Sequence, residues 1–451
     1  MAKKPCSSCL FLWETGAGRG CDRRLMETKY PLDTAAKLFP AVTRRTNTSV
    51  YRISAILKEE VCVETLQQAV RDTLKRYPAF AVKLTSTSFD QYFEPNDAPF
   101  FVKHEVEYPC ALMKPEENNG YLFLILYYGN RISLEAFHAL ADGAGAVEFL
   151  KTLLYRYFTL RGEKIDPEGK ILLPEDTPGA EESEDALLKY YDADRSKVSK
   201  LPPAFKIKGT PYEPYGNNVL QGVVSVSALK AAAKRSDATI TEYLTALLIL
   251  AIYREAVREE LDDEPIVISV PVNLRSLFPS KTVRNFFCIL NLSVPIRTGM
   301  NFESILAEVQ RQIREKTSEE NLLGAIAESC GVMEHPVVKA VPRFMREAGT
   351  KFVFAFFGED IKTMTLSNVG LIDLPADLAK HVERAESIIY PTERSPINCC
   401  MCSVNGKLTI SFIKTIKETA IIRYFFGFLA RETGTDVEIY TNNWGICDEQ
   451  V

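Results

Sequence analysis

The sequence predicts a mixed α/β protein of two lobes, on three observations. The chain has 451 residues, and globular chains longer than about 300 residues usually divide into domains. Helical and β-rich segments alternate in both halves without a repeat of about 20–50 residues, which argues against a solenoid. A proline-rich acidic stretch lies between the halves. We therefore expect a cysteine-containing tail at 1–30, a first lobe at 31–195, a crossover linker at 196–215 and a second lobe at 216–451.

The patterns of the first half place one histidine just past the end of a strand. The dipeptide Gly129-Asn130 lies between two β-rich runs and is a hairpin signal. Apolar residues at helical spacing occur before and after this hairpin. The predicted elements are, in order, a helix, two strands and a helix: Val63–Tyr77, Tyr121–Tyr128, Arg131–Phe137 and Ala146–Leu160. His138 therefore lies in the loop between the second strand and the second helix.

The second half begins after an acidic segment. Glu163–Asp194 contains three prolines and predicts an exposed crossover between the lobes. Thr239 and Glu242 then form a capping-box pattern ahead of an apolar helix. Asn405-Gly406 is the strongest short hairpin signal in the chain. The other predicted elements are helices to about Glu259, at Asn301–Lys316 and at about Glu418–Glu432, and strands at Ile266–Pro271, Phe286–Val294, Ile397–Val404, Lys407–Ile413 and Val437–Tyr440.

Charge and hydropathy exclude several classes of protein. A net charge of -5 and a pI near 5.7 argue against nucleic acid as a partner, since phosphate binding needs a dominant basic surface. The longest apolar runs are shorter than the roughly 18–20 residues of a membrane span, so we expect no transmembrane segment. Leu10–Trp13 is too short for the apolar core of a secretory signal. These observations predict a cytoplasmic location.

The eleven cysteines are scattered through apolar segments and predict reduced thiols rather than a disulfide framework. Cys6 and Cys9, with Cys21 further on, supply three of the four ligands that a structural zinc site needs. A fourth cysteine or histidine is missing nearby. We therefore expect a reduced tail and no metal.

Four histidines occur in the chain. His104, His335 and His381 lie in charged or turn segments and are expected to face solvent. His138 instead ends an apolar strand and precedes Asp142 and a run of small residues. Such a ring can act as a general base, with glycines that let a substrate approach. It can equally be a packed strand-end histidine whose loop aspartate caps the next helix. The residues alone leave both interpretations open.

The motif His138-x-x-x-Asp142-Gly143, after a strand and before a helix, resembles that of the condensation-domain superfamily. This superfamily includes chloramphenicol acetyltransferase, peptide-synthetase condensation domains and alcohol acetyltransferases. Three further segments are similar to its elements: the N-terminal helix at Leu66–Phe80, the second-lobe loop at Pro271–Arg275 with Asn285-Phe286, and the late strand of the alcohol-acetyltransferase branch at Thr365–Gly370. The resemblance extends from about Leu32 to Trp444.

The resemblance implies a fold and a reaction. It implies two chloramphenicol acetyltransferase-like lobes with an active site in a channel between them. His138 would accept a proton from a hydroxyl or amine acceptor while that atom attacks the thioester of an acyl-CoA or an acyl-carrier protein. Asp142 would be structural and would pair with Arg275. The acyl thioester is a co-substrate, and no bound metal or redox cofactor is implied.

The resemblance leaves two alternatives for the group that stabilises the tetrahedral oxyanion. One is the backbone N–H of Gly143. The other is the pair of side chains Ser367 and Asn368, and Asn273 in the second-lobe loop is a further candidate. Substitution of each donor can separate these alternatives, because the loss of one typically lowers the rate about 10²–10³-fold.

The sequence also departs from the family pattern. Condensation domains usually have two adjacent histidines, whereas Phe137 occupies the first of these positions, which favours simpler esters over peptide bonds. Arg284 stands where a glycine commonly precedes the Asn-Phe pair. The chain lacks Gly-x-Ser-x-Gly, which argues against a serine nucleophile of the common hydrolase type.

Two other functions remain open at this point. The first is a non-catalytic scaffold of the same fold that binds an acyl chain or a carrier protein. The second is peripheral membrane contact, suggested by a segment in which basic and aromatic residues are interleaved. That segment contains Lys339, Arg343, Arg346 and Lys351 with Phe344, Phe352, Phe354, Phe356 and Phe357. Its simpler interpretation is a basic helix followed by a buried strand.

Overall fold

The computed structural model describes residues 29–442 apart from 107, 196–200, 213–215, 258–263, 336, 337, 339 and 355–357. The strands are β1 (Tyr30–Pro31), β2 (Val50–Leu57), β3 (Val82–Ser86), β4 (Gln91–Pro95), β5 (Lys103–His104), β6 (Phe123–Tyr128), β7 (Arg131–Phe137), β8 (Asn218–Ser225), β9 (Ile266–Asn273), β10 (Phe287–Val294), β11 (Met364–Leu371), β12 (Val382–Ile389), β13 (Ile397–Val404), β14 (Lys407–Lys414) and β15 (Glu438–Asn442). The helices are α1 (Phe39–Val42), α2 (Val63–Arg76), α3 (Gly143–Leu160), α4 (Ala186–Lys189), α5 (Val226–Arg235), α6 (Ile240–Glu255), α7 (Phe302–Lys316), α8 (Glu319–Glu334), α9 (Arg343–Phe354), α10 (Ala376–Ala379) and α11 (Ala420–Thr433).

The first lobe is built on a five-stranded sheet in the order β12-β2-β7-β6-β5. β6 and β7 form the predicted hairpin around Gly129-Asn130. The helices α2 and α3 pack against one another and bury their apolar faces in one core with this sheet, which includes Leu66, Phe123 and Phe149. A small sheet in the order β1-β4-β3 lies in the same half of the chain.

The second lobe is built on a seven-stranded sheet in the order β10-β9-β11-β13-β14-β8-β15. β13 and β14 are joined by Asn405 and Gly406, whose φ angles of 51° and 74° are those that a two-residue hairpin turn requires. The predicted capping box is present at α6, where the Thr239 and Glu242 side chains each accept the other's backbone N–H. α6 is almost entirely buried in the second core.

Two separate apolar cores match the two lobes, but one strand crosses between the halves of the chain. β12 comes from the second half and pairs antiparallel with β2 in the first-lobe sheet. Val283 is likewise buried in the first core. Segments from the second half of the chain are therefore part of the first lobe. The boundary at 196–215 stays a prediction, since 196–200 and 213–215 lie outside the described residues.

Two of the sequence expectations are wrong. The acidic segment Glu163–Asp194 is not an exposed crossover throughout, because Ile165 and Ile171 are buried in the first core and Ala186 and Leu187 in the second. Its few apolar side chains anchor it to both lobes. The run that begins at Phe352 was expected to be a strand after a basic helix, but α9 continues to Phe354.

In the part of the chain that the structure describes, no single helix is both long and apolar enough to cross a membrane. Only the consecutive helices α5 and α6 pass together by length and composition, and they meet at 77°.

Candidate active site

His138 lies in the loop after β7, where the two lobes meet. Its backbone N–H donates to the Ser49 carbonyl at 2.8 Å, beside the pairing of β2 with β7. The ring stacks on Phe39 with centroids 4.4 Å apart and meets Tyr51 edge-on at 5.0 Å. Phe287, the first residue of β10, approaches from the second lobe at 5.4 Å. Aromatic packing therefore fixes the ring, while the half-buried side chain keeps part of its surface exposed.

A second-lobe residue engages the Nδ1 atom of this ring. Asn285 Oδ1 lies 3.1 Å from His138 Nδ1, and Asn285 is fully buried. The Nδ2 of Asn285 donates to Asp33 Oδ2 at 3.2 Å, and Asp33 Oδ1 accepts the Ala36 N–H at 2.7 Å. Buried polar groups in folded proteins are normally paired in this way. The pairing links both lobes to the imidazole.

Burial lowers the pKa of His138 below its ordinary value of 6.5. The backbone carbonyl of the same residue, the charge of Asp142 and the hydrogen bond to Asn285 act in the opposite direction but do not cancel the effect of burial. A histidine with a lowered pKa is neutral at pH 7. A neutral imidazole has one nitrogen with a free lone pair, which is what a general base requires.

Asp142 points away from the imidazole and towards the second lobe. Its Oδ2 lies 2.8 Å from Arg275 Nη1 and accepts the Phe286 N–H at 2.8 Å. Its Oδ1 accepts the Gly145 N–H at 3.0 Å, so the same carboxylate also caps α3. The carboxylate of Asp142 therefore acts both as the helix cap and as the partner of the ion pair.

Arg275 holds the loop that carries Asn285 in place through hydrogen bonds. Besides Asp142, its guanidinium donates from Nε to the Thr282 carbonyl at 2.9 Å and from Nη2 to the Arg284 carbonyl at 2.5 Å. A planar guanidinium holds several acceptors in fixed directions, which a lysine cannot do. The ion pair thus closes the loop between β9 and β10 and fixes it to the start of α3.

The remaining candidate residues are less close to the imidazole. Asn273 is exposed and its Oδ1 accepts from the Arg275 backbone and side chain, both at 3.1 Å. Asn368 is exposed, with Nδ2 on Thr241 Oγ1 at 3.0 Å and Oδ1 on the Gly370 N–H at 2.9 Å. Ser367 is half-buried beside Cys400 of β13. The structure therefore brings Asp142 and Arg275 together but joins none of these three side chains to His138.

Gly143 and Gly145 differ sharply in the space around them. A Cβ at Gly143 would meet only Val369 Cγ2, at 3.8 Å, which is ordinary contact. A Cβ at Gly145 would lie 1.9 Å from the Val283 carbonyl oxygen. Gly145 is therefore required for α3 to pack against the loop that leads to Asn285, a role that the sequence pattern had not indicated.

We predict that Gly145→Ala lowers the free energy of unfolding by about 1–3 kcal/mol or more, because the Val283 backbone must move to admit the methyl group. Chemical denaturation of the purified variant measures the change. Gly143→Ala is the matched control and should cost clearly less. Equal losses for the two variants would contradict the packing role of Gly145.

The other histidines take no part in this site. His104 is exposed and touches the rings of Tyr127 and Tyr128. His335 is exposed at the end of α8. His381 is a correction, because it is half-buried and stacks on Phe158 with centroids 4.4 Å apart.

No group of three or more metal-ligating side chains occurs among the described residues. The cysteines of the tail, Cys6, Cys9 and Cys21, lie outside them. Cys399 and Cys402 are buried free thiols whose pKa burial raises, so they are poor nucleophiles.

Of the basic-aromatic segment, Arg343–Phe354 form α9, which packs beside α1 of the first lobe, and Phe357 lies outside the described residues. Arg343 pairs with Glu347, and Arg346 lies 3.1 Å from Asp90. Phe344 is 69% exposed. Lys339 and Phe356 are outside the described residues. Peripheral membrane contact stays a prediction, as does the cytoplasmic location.

Several residues of the site were not predicted from the sequence. Phe39 and Tyr51 pack on the imidazole, and Asp33 reaches it through Asn285. Asn285 was noted only as part of a family-like Asn-Phe pair. A signal was present in that pair, because a polar residue directly before an apolar strand has to find a partner when it is buried.

The architecture is similar to the fold of condensation domains and of an acetyltransferase of known structure. Polyketide synthase associated protein 5 from Mycobacterium tuberculosis matches over 90% of this chain and 97% of its own, with a TM-score of 0.57 and 14% identity. The TRI3 trichothecene 15-O-acetyltransferase from Fusarium sporotrichioides matches over 90% and 94%, with a TM-score of 0.55 and 11% identity. The starter condensation domain of rhizomide synthetase RzmA, a mutant in complex with C8-CoA, matches over 92% and 96%, with a TM-score of 0.55 and 13% identity.

These identities establish the fold alone. No protein-family model matches the chain, and no curated protein matches its sequence.

Proposed function

We propose that this chain is an acyltransferase that moves an acyl group from a CoA or carrier-protein thioester to a hydroxyl or amine acceptor. The observation that carries the proposal is a half-buried, neutral imidazole between two lobes, with one nitrogen engaged by the protein. Since Asn285 engages Nδ1, the Nε2 of His138 is the nitrogen left for a substrate. The fold adds support, because acetyltransferases and condensation domains have it.

In the proposed reaction, His138 Nε2 accepts the proton of the acceptor hydroxyl or amine as that atom attacks the thioester carbonyl. A tetrahedral oxyanion forms. Its collapse breaks the carbon–sulfur bond, and the imidazolium returns the proton to the departing thiolate. The products are an ester or amide and a free thiol. No acyl-enzyme is formed, so His138 is restored at the end of each turnover.

For the oxyanion, the Gly143 N–H is the better candidate. Gly143 is the first residue of α3, and the first N–H groups of a helix have no acceptor within it. The positive end of the helix dipole also favours a developing negative charge. Asn368 and Asn273 are exposed, and no hydrogen bond among the described residues joins either side chain to His138. Ser367 stays the alternative donor.

The donor is proposed to be an acyl thioester bound in a channel between the lobes. The RzmA domain was solved with C8-CoA, which gives a medium-chain acyl-CoA as the first donor to test. TRI3 is an O-acetyltransferase, which gives acetyl-CoA with an alcohol acceptor as the second. The alternative is a scaffold of the same fold that binds the acyl thioester without turnover.

The test is a panel of acyl-CoA donors, each offered with alcohols and amines. Release of free thiol is followed with a chromogenic reagent, and the products are identified by mass spectrometry. The proposal expects thiol release that depends on an acceptor and yields the acylated acceptor. Saturable binding of an acyl-CoA with no turnover on any acceptor would favour the scaffold and contradict the proposal.

A further inference from the structure

A chain of buried polar groups runs from Asp33 through Asn285 of the second lobe to the imidazole of His138. Asn285 Oδ1 lies 3.1 Å from His138 Nδ1, and Asn285 Nδ2 lies 3.2 Å from Asp33 Oδ2. Asp33 is 1% exposed and Asn285 is fully buried, so water cannot replace either partner. Asp33 therefore reaches the imidazole through a single amide.

The direction of this amide follows from what each atom can do. An ionised carboxylate only accepts hydrogen bonds, so the Asn285 Nδ2 must face Asp33. The Oδ1 of Asn285 then faces the imidazole and can only accept. His138 must therefore have its proton on Nδ1, which leaves the lone pair on Nε2.

Asp33 needs a counter-charge to stay ionised at this depth. The pKa of Asp33 is raised to about 6, because burial outweighs the opposing effect of the Arg284 charge. Arg284 is itself 2% exposed and lies over the Phe93 ring at 4.9 Å. Its Nε and Nη1 have no hydrogen-bond partner among the described residues. Arg284 thus stabilises the ionised form of Asp33 through its charge. This gives a physical reason why an arginine replaces the glycine that is common at position 284.

The acidic segment Glu163–Asp194 supplies further contacts close to Asp33 and Arg284. Asp185 accepts hydrogen bonds from the Thr34 N–H and Oγ1, at 2.7 and 2.8 Å, and so holds the residue next to Asp33. The negative charge of Asp185 also interacts with the charges of Asp33 and Arg284. Val283, directly before Arg284, donates its N–H to Glu182 of the crossover at 2.9 Å. This acidic segment therefore holds the backbone beside both Asp33 and Asn285.

We infer that Asp33 is a positioning residue that sets the direction of the Asn285 amide and thereby holds His138 in the tautomer with its lone pair on Nε2. This inference rests on the proposed function for its catalytic consequence, but the tautomer itself exists without any substrate. Among the described residues, no hydrogen bond joins Asp33 to the imidazole directly, and its link runs through Asn285.

Asp33→Asn tests the inference because it reverses the hydrogen bonding with almost no change of shape. Oδ1 of the new side chain keeps the Ala36 N–H, so its Nδ2 must face Asn285. The Asn285 amide then turns over and presents its NH₂ to His138, which places the ring proton on Nε2. A wrong tautomer costs up to about 10⁴-fold in kcat in a serine-protease triad, and we expect kcat/KM to fall about 10²–10⁴-fold here.

The double variant Asp33→Asn with Asn285→Asp is the matched control. Its carboxylate at 285 accepts from the imidazole Nδ1–H and from the new amide at 33, with the total charge unchanged. We expect it to recover kcat/KM to within about tenfold of the wild type, since the tautomer is restored. A merely structural role of Asp33 would leave the double variant as impaired as the single one.

The tautomer is read directly from ¹H–¹⁵N spectra of protein labelled in its four histidines, at about pH 8, where His138 with its lowered pKa is neutral. The His138 signals are those lost in His138→Gln. We expect a protonated Nδ1 in the wild type and the double variant, and a protonated Nε2 in Asp33→Asn. A wild type with its proton on Nε2, or an unchanged tautomer in Asp33→Asn, would overturn the inference. Absence of acyl transfer with the expected tautomers would overturn only the proposed function.

Discussion

Replacing His138 with glutamine is expected to lower kcat/KM for acyl transfer by about 10²–10⁴-fold. Glutamine can fill much of the same space and can hydrogen-bond to Asn285, but it cannot take a proton from an acceptor near pH 7. The imidazole is neutral and half-buried, so its replacement should change the melting temperature little. Thiol release and thermal unfolding, measured on the same preparation, check both expectations.

His104→Gln is the matched control for this substitution. His104 is exposed and its ring contacts those of Tyr127 and Tyr128 on β6, away from His138, so its loss should leave kcat/KM unchanged. Activity that survives His138→Gln would rule out the general-base role of this residue. Activity that disappears together with the folded state would make the role of the ring structural.

Asp142→Ala is expected to have the largest effect on stability, about 3–5 kcal/mol in the free energy of unfolding. The substitution removes the acceptor of three groups at once, namely the Arg275 guanidinium and the N–H groups of Phe286 and Gly145. It leaves a partly buried arginine without its counter-charge. Urea denaturation, with the midpoint and slope compared to wild type, measures the change.

Arg311→Ala is the control for an ion pair of ordinary strength. Arg311 pairs with Glu308 and Glu315 on the exposed face of α7, where such pairs contribute little to stability because solvent screens the charges. The double variant Asp142→Ala with Arg275→Met should lose less stability than the sum of its single variants, because it removes both charges and leaves none unpaired. If Asp142→Ala costs no more than Arg311→Ala, the link between the lobes is not the function of Asp142.

The elements of the fold were predictable wherever a local pattern decided them. Gly129-Asn130 and Asn405-Gly406 each gave a hairpin, and the Thr239–Glu242 capping box marked the start of α6 to the residue. Such signals act through neighbouring residues, so the sequence contains them in full. The bounds of α2 and α7 were likewise within a residue or two of the observed helices.

Elements that are stabilised by distant partners were not predictable. β2 carries Arg52 and Ser54, yet all of its residues are buried, and it lies inside the sheet between β12 and β7. No local pattern indicates that β12, more than 300 positions later, joins the first-lobe sheet. The same holds for Asp33, whose relation to Asn285 depends on how the two lobes meet.

The candidate site was predictable in its motif and not in its surroundings. His138, Asp142 and Arg275 follow from the resemblance, and the contact between the last two is present. The acidic crossover was expected to be exposed because its composition is polar. Four of its apolar side chains are buried, and Glu182 and Asp185 form hydrogen bonds with other parts of the chain. This structural role cannot be predicted from composition.

The most direct test of the central claim compares two pKa values of the same enzyme. The pKa of the His138 ring is measured by NMR titration, and the acid limb of the pH profile of kcat/KM is measured with the donor and acceptor found in the panel. Only the neutral ring accepts a proton, so activity should be constant above pH 6.5 and fall as the pH drops through the lowered pKa of His138. The account predicts an acid limb below 6.5 that follows the pKa of His138 or that of Asp33, which is raised to about 6, whichever is higher. An acid limb that follows neither group would contradict it.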